Sequence, residues 1–327
     1  MKVLVCGSEG SLMQAVIPKL LRDGHAVYGV DNLCRYGERL GIAGQGYEFR
    51  KADLTDRPSV NALVKDVKPD LIIQAAARIY GVGGFNMYCA DILGEDLALH
   101  NNVLKAAVDN HVPKVVYTSS SMVYENCQGE VKEDDVDTVI APYTEYGLSK
   151  YVGEKMSIAF EKQYGVAYTI WRPFNILTPY EKSEGTQGVS HVFADFMNEI
   201  IVKRSNVIPM LGDGEQIRCF TWIDEVAEAI ATHSFSSKTN GHAFNLGNHE
   251  PITMLELARK IRSIAANEFG CTFDAAMTFA HKPAYKNDVR YRVPNVDKAK
   301  ELLGWEAKMK VDDSLRLCIR DALNGSK

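Results

Sequence analysis

Six short β-rich runs, KVLV (2–5), AVYGV (26–30), YEFRKADL (47–54), LIIQAAA (71–77), KVVYTSS (114–120) and YTIWRPF (168–174), alternate with helically periodic stretches such as 11–23, 96–110 and 146–163. Strands this continuously apolar are buried on both faces, and the helices between them supply the cover. The pattern predicts an α/β protein built on a doubly wound parallel sheet. Right-handed crossovers bring the C-terminal ends of the strands to one edge, where ligands bind. Gly7, Asp31, Asp53, Ala75 to Ala77, Ser120 and Asn175 each close or follow a strand and are expected at that edge. Beyond Asn175 the rhythm changes. TPYEKSEGTQGVSH (178–191) reads as a polar, irregular loop, followed by a helical segment at 191–203 and the turn GDGEQIR (212–218). Further helices are expected over 253–268 and from about 296 onward. The expected division is a sheet domain of residues 1–174 and 219–247, with 175–218 and 248–327 forming a smaller, interleaved substrate-binding region.

At 327 residues, 46% apolar and 24% charged, the chain can bury a sizeable core. A net charge of -5 leaves no electrostatic footprint for nucleic acid or an anionic membrane. The apolar runs fall short of membrane-spanning length, and the lone Lys2 before a short strand predicts no signal peptide. Seven scattered cysteines without a C-x-x-C pair favour reduced thiols in a cytoplasmic protein. The eight histidines show no ligand spacing, so no metal is expected.

In CGSEG (6–10) a strand enters a turn at Gly7 and Gly10, as when a dinucleotide's pyrophosphate is handed to a helix N-terminus. Glu9 stands where an anion would approach, so its side chain is expected to face solvent or to cap the helix. Met13 occupies the place of a third glycine, which mainly serves helix–strand packing; a slightly displaced helix is expected. Asp31, in VDNL (30–33), can accept hydrogen bonds from both adenosine ribose hydroxyls and would repel a 2′-phosphate, favouring NAD over NADP. Asp53, in ADL (52–54), could meet the adenine edge. Alone, either aspartate reads as a helix cap; in strand order they support a cofactor site.

Tyr146 and Lys150, in YGLSK (146–150), share a helix face. A lysine ammonium beside a phenol stabilises phenolate, which makes tyrosine a usable base. Such pairs also occur by chance in helices. The hydroxyl-rich strand end TSSSMVY (118–124) makes the case stronger, because Ser120 could steady the same substrate oxygen as a carbonyl forms. Ser/Tyr/Lys is thus a hydride-transfer constellation.

With CGSEG, DNL, ADL, QAAA, TSSSMVY, YGLSK, RPFN, GDGEQIRCFTWIDE and LLGW in this order from residue 1 to about 312, the chain resembles an extended short-chain dehydrogenase/reductase of the NAD-dependent nucleotide-sugar epimerase/dehydratase type. The resemblance implies a Rossmann-type domain binding NAD through Gly7, Gly10, Ser11, Leu12, Asp31, Asn32, Asp53, Leu54, Ala75, Ala76, Ala77, Tyr146, Lys150 and Pro173. It carries over Ser120, Tyr146 and Lys150 as the catalytic set. Ser121, Met122, Asn175, His191 and Arg218 would contact a nucleoside diphosphate sugar, Arg218 gripping its diphosphate. Arg290 and Arg292 are candidates for the diphosphate or sugar, with a solvated position as the alternative, and Arg78 and Tyr80 are candidates for the sugar site. By resemblance, subunits pair through the helices matching 96–110 and 146–163, giving a homodimer.

The 4,6-dehydratases of this family carry Asp-Glu after the catalytic hydroxyl; Ser121 and Met122 here argue against that reaction. Around AARIYGVGGF (76–85) and ADILGEDLALHNNVL (90–104) the chain is similar to the GDP-mannose 3,5-epimerase and GDP-fucose synthase groups. These use a cysteine where Met122 stands, and methionine cannot transfer a proton. Their second acid/base matches His191, which can exchange protons near neutral pH; the alternative is a histidine satisfied by local hydrogen bonds. The leading expectation is an epimerase acting at C4 through a transient 4-keto sugar. The alternatives are a dehydratase, decarboxylase or single-centre C3 or C5 epimerase using His191, and a non-catalytic protein that binds NAD or a sugar nucleotide.

Overall fold

The computed structural model describes residues 1–37, 46–127, 129–138, 140–186, 188–285 and 288–325. Seven strands form the central sheet: β1 (Lys2–Cys6), β2 (Ala26–Asp31), β3 (Tyr47–Lys51), β4 (Leu71–Gln74), β5 (Lys114–Thr118), β6 (Ala167–Pro173) and β7 (His242–Leu246). Their order is β3-β2-β1-β4-β5-β6-β7, all parallel. The order reverses between β1 and β4, and a crevice opens beyond the strand ends at such a switch point.

Alternation along β1 shows how both faces are covered. Val3 and Val5 join Met13, Val16 and Ile17 of α1 (Ser11–Arg22) in one core. Leu4 and Cys6 join Leu63 and Val64 of α2 (Arg57–Val67) in the other. A short α3 (Val82–Met87) leads into α4 (Cys89–Asp109), which packs beside α2 and α5 (Glu145–Tyr164). On the opposite face α1 meets α7 (Ile223–His233), which follows α6 (Val192–Met197) in the chain. The core around α1 and α7 continues into α8 (Met254–Phe269), so the sheet and the C-terminal segments share one apolar interior.

A second sheet orders Pro251–Thr253, Ile217–Cys219, Tyr291–Pro294 and Glu130–Val131. Arg218 pairs with Arg292 in parallel register across it.

Three elements differ from expectation. The helical pattern from about 296 breaks into α9 (Asp297–Leu303) and α10 (Val311–Gly325). Gly304, at φ 68°, takes the left-handed cap that ends α9. Trp305 then turns inward and donates its indole N–H to the Glu225 carbonyl at 3.1 Å. The third strand stops at Lys51, before ADL, because the Asp53 carboxylate accepts from the Thr55 N–H (2.9 Å) and hydroxyl (2.8 Å) and closes a turn. The helix expected at 96–110 begins at Cys89, seven residues earlier.

Glu154 of α5 and Arg172 of β6 form a bidentate pair at 2.8 and 2.6 Å, with their side chains 2% and 4% exposed. Arg172 also donates to the Tyr124 hydroxyl (2.6 Å) and the Glu133 carbonyl (2.8 Å). Ser119 donates to the same Glu154 carboxylate. Removing one partner would leave a buried charge uncompensated. Arg172→Met is therefore expected to cost about 3–5 kcal/mol, read as a lower urea midpoint at unchanged slope.

Candidate active site

A cavity of about 330 Å³ runs along the strand-end edge from the turn after β1 to the second sheet. At one end lie Gly7, Gly10, Ser11, Leu12, Ala75, Ala77 and Pro173. Gly7 is at φ 78°, and a Cβ there would stand 2.7 Å from the Ala76 backbone, so the turn packs directly against the segment after β4. Gly10 is the N-cap of α1, with no capping side chain and no acidic residue in the first turn. Unsatisfied N–H groups and the positive end of the helix dipole therefore face the cavity, which suits a pyrophosphate. On this test the residues fit a dinucleotide.

Glu9 does not behave as expected. It is 2% exposed and does not cap α1. Its N–H donates to Asp31 (3.1 Å), and the Tyr47 hydroxyl donates to its carboxylate (3.4 Å). The tight turn at Gly7 folds Glu9 inward against β2 and β3 rather than outward. Met13 is buried in the core beneath the turn. Asp31 also accepts from the Leu33 N–H (2.8 Å); burial pushes its carboxyl up, and these two backbone bonds oppose that. Asp31, Asn32, Asp53 and Leu54 lie outside the cavity lining. Asn32 accepts from the Cys34 N–H at 3.1 Å, Leu54 belongs to the core under α2, and Ala76 packs behind the glycine turn.

Ser120, Tyr146 and Lys150 meet at the middle of the cavity. Thr144 caps α5 through the Gly147 N–H (3.0 Å), and Glu125 holds Thr144 by its N–H (2.9 Å) and hydroxyl (2.6 Å). This anchors the first turn of the helix carrying Tyr146. The Lys150 ammonium donates to the Thr118 carbonyl at 3.1 Å and sits 5.7 Å from the Tyr146 ring centre. The expected lowering of the Tyr146 phenol by its lysine is not what dominates here. Burial pushes the phenol up, while a hydrogen bond from Ser120 and the nearby Arg35 and Arg292 charges pull it back. Burial likewise lowers Lys150, opposed by Asp96 and Glu154, whose carboxylates favour the ammonium. Phe85 stacks on the Tyr146 ring at 4.7 Å and 10°.

At the far end Arg218 and Arg292 are 8% and 5% exposed. Arg218 pairs with Asp288 at 3.0 Å. Among the described residues Arg292 donates to the Met122 sulfur (2.8 Å) and its Nε has no partner. Burial lowers both guanidiniums, and the Arg218 charge helps to bring Arg292 down to about 9. Arg218 thus has a carboxylate partner while Arg292, among the described residues, has none in direct contact; Asp288 and Glu125 only oppose its lowering from nearby, and an anion could supply the missing partner. Ser121, Met122, Asn175 and His191 also line the cavity, and Tyr80 joins its wall. Asn175 donates to the Cys219 carbonyl at 3.3 Å. Arg290 does not join them; its exposed guanidinium is bound to Asp213 at 2.6 Å. Arg78 is likewise outside the lining, engaged by Glu95.

Sequence reasoning did not single out Glu181, Asp288, Arg35, Phe85 or Asp96. Asp288 stands two residues before Arg290 and carries no pattern of its own in the sequence. Glu181 lay in a polar loop with no periodicity to mark it. Among the described residues no helix is long and apolar enough to cross a membrane.

A doubly wound sheet with an uncapped glycine turn at its switch point defines a Rossmann-type dinucleotide-binding protein. The chain belongs to the NAD dependent epimerase/dehydratase family, which it matches over residues 3–247, and its cofactor is NAD. GDP-mannose 3,5-epimerase of Arabidopsis thaliana is 26% identical over 323 residues, 97% of this chain and 81% of that one. UDP-glucose 4-epimerase of Mycolicibacterium smegmatis is 26% identical over 332 residues, 100% of each chain. The solved structure of a UDP-glucose 4-epimerase from Thermus thermophilus in complex with NAD shares the fold, with a TM-score of 0.83 at 24% identity over 99% of each chain.

Asp96 on α4 accepts from the Arg78 N–H (2.8 Å) and the Ser149 hydroxyl (3.1 Å), and burial raises its carboxyl to about 6 despite Lys150. An unfolded aspartate titrates near ~3.9, so between these values the native state binds more protons than the unfolded one. Stability should therefore fall as pH rises from about 4 to about 6. Asp96→Asn should remove this slope, on the order of 2–3 kcal/mol, in melting curves taken across that range.

Proposed function

We propose that this protein is an NAD-dependent nucleotide-sugar epimerase acting through a transient 4-keto sugar. The observation carrying this reading is one cavity lined by Ser120, Tyr146 and Lys150 and by the guanidiniums of Arg218 and Arg292, the latter with no carboxylate in direct contact among the described residues. A nucleoside diphosphate lying against the two arginines directs its sugar toward Tyr146. Tyr146 acts in its phenolate form, which the neighbouring Lys150 ammonium stabilises against burial; the phenolate takes the C4 hydroxyl proton, and Ser120 steadies the forming carbonyl. NAD, when bound, supplies the acceptor and donor of hydrogen at C4. The sugar turns over at the ketone stage, and Tyr146 returns the proton.

Residues 1–174 and 219–247 would hold NAD, and 175–218 with 248–327 the sugar nucleotide. Pairing as a homodimer through α4 and α5 accords with the exposed Ile158 and Tyr164 on α5. The free cysteines accord with a reducing compartment such as the cytoplasm. A second reading, single-centre epimerisation at C3 or C5, is favoured by the contact between His191 and Glu181.

With a panel of UDP- and GDP-sugars and NMR of the products, the wild type should yield the C4 epimer of one of them. Tyr146→Phe should lose turnover by about 10³-fold while retaining bound NAD. An alkene or a decarboxylated sugar as product would replace the epimerase reading, and full activity in Tyr146→Phe would remove the mechanism.

A further inference from the structure

One ion pair spans two segments that border the glycine turn. Arg35, in the stretch that follows β2, donates from Nε (3.0 Å) and Nη2 (2.7 Å) to one carboxylate oxygen of Glu184, in the polar loop before α6. Its Nη1 donates to the Ile79 carbonyl after β4. The guanidinium lies between two rings, 4.7 Å from the centre of Tyr36 and 4.9 Å from that of Tyr80. The same loop touches the start of α1, where the Ser11 hydroxyl donates to the Tyr180 carbonyl at 3.4 Å. Ser11, Arg35, Tyr36, Ile79 and Tyr80 all line the cavity.

The loop is a firm anchor for this pair. The Glu184 N–H donates to the Ser190 hydroxyl, and the Ser183 hydroxyl to Asp195, each at 2.8 Å. The Gly188 and Val189 carbonyls accept from the N–H groups of Gly83 (2.8 Å) and Gly81 (2.7 Å) at the entrance of α3. A Cβ on Gly81 would stand 2.1 Å from the Ser190 carbonyl oxygen, so these backbones meet directly. The contacts across to Arg35 and Ser11 are of another kind. The Arg35 and Glu184 side chains are 13% and 36% exposed, and the Ser11 bond is long for a hydroxyl donor. An ion pair open to solvent on one side separates at modest cost. The seam between loop and glycine turn thus opens more easily than the join between loop and α3.

We propose that the Arg35–Glu184 pair latches a gate for the dinucleotide, through which NAD reaches or leaves the N-terminus of α1 only while the pair is apart. The tie from Ser11 engages its hydroxyl, so the N–H groups at the start of α1 stay available to a pyrophosphate. The flanking rings keep the Arg35 guanidinium in place when Glu184 withdraws, ready to close again. A latch of this kind slows exchange of the cofactor without adding to its affinity, because entry and exit pass the same barrier. The inference concerns the cofactor and stands whichever sugar, and whichever carbon, the protein acts on.

The test mixes the full chain with NADH, the fluorescent form of the cofactor, and then follows release in a chase with excess NAD. In the wild type the association rate should level off with rising NADH, at the rate at which the gate opens. Glu184→Gln removes the ion pair while keeping the length of the side chain. It should raise both that plateau and the release rate by about 5-fold, leaving the affinity for NADH nearly unchanged. Wild-type association that stays proportional to NADH throughout overturns the gate without any variant. So does a plateau and release at the wild-type rates in Glu184→Gln. Faster release with unchanged association overturns it as well, because the pair would then stabilise the complex rather than control passage. Should Glu184→Gln fail to fold, Glu184→Ala is read in the same way.

Discussion

The buried pair between Arg172 and Glu154 ties the framework to the chemistry. Glu154 sits one turn beyond Lys150 on α5, and Arg172 belongs to β6, so the pair fixes the helix against the sheet. Ser119 binds the same carboxylate, which sets the neighbouring Ser120 relative to Tyr146. On the other side Arg172 holds Tyr124, whose hydroxyl donates to Asn245 of β7 at 2.7 Å, and Asn245 donates to the Val131 carbonyl in the second sheet at 3.1 Å. One guanidinium thus connects α5, two central strands and the sheet carrying the arginine couple. A hydrogen-bond network of this kind is worth having only when every member is satisfied, and here the partners supply the bonds that burial demands.

Much of the cavity follows the opposite rule. Burial raises Tyr146 and lowers Lys150, Arg218 and Arg292, and behind the lining it raises Asp96. Each shift moves a group toward neutrality, as desolvation requires. The cavity therefore stores electrostatic cost where a charged ligand could relieve it. The His191–Glu181 contact departs from this pattern, because two opposite charges meet directly and outweigh desolvation.

Six of the seven central strands were legible because runs of β-forming residues alternate with periodic helices; the seventh, His242–Leu246, was not marked as a strand. The helix lining the middle of the cavity was legible through Tyr146 and Lys150, one turn apart. The second sheet was not, since its strands are two to four residues long and come from distant parts of the chain. Glu9 was misread for a related reason: its setting is made by Asp31 and Tyr47, partners across the sheet that no local pattern announces. Arg290 and Arg292 looked equivalent in sequence, yet Arg290 meets Asp213 in solvent while Arg292 is enclosed. Glu181 became interpretable only when the loop brought it to His191.

The parallel pairing of Arg218 with Arg292 makes the charge density of the anion end a property of chain length as much as of residue type. Neighbouring side chains on a strand point to opposite faces, so losing or gaining one residue in Tyr291–Pro294 would turn Arg292 away and bring an adjacent side chain inward. Relatives could exchange residues throughout this strand and keep a phosphate-sized binding place. A frame change there would remove it in a single step, while leaving the central seven-stranded sheet intact.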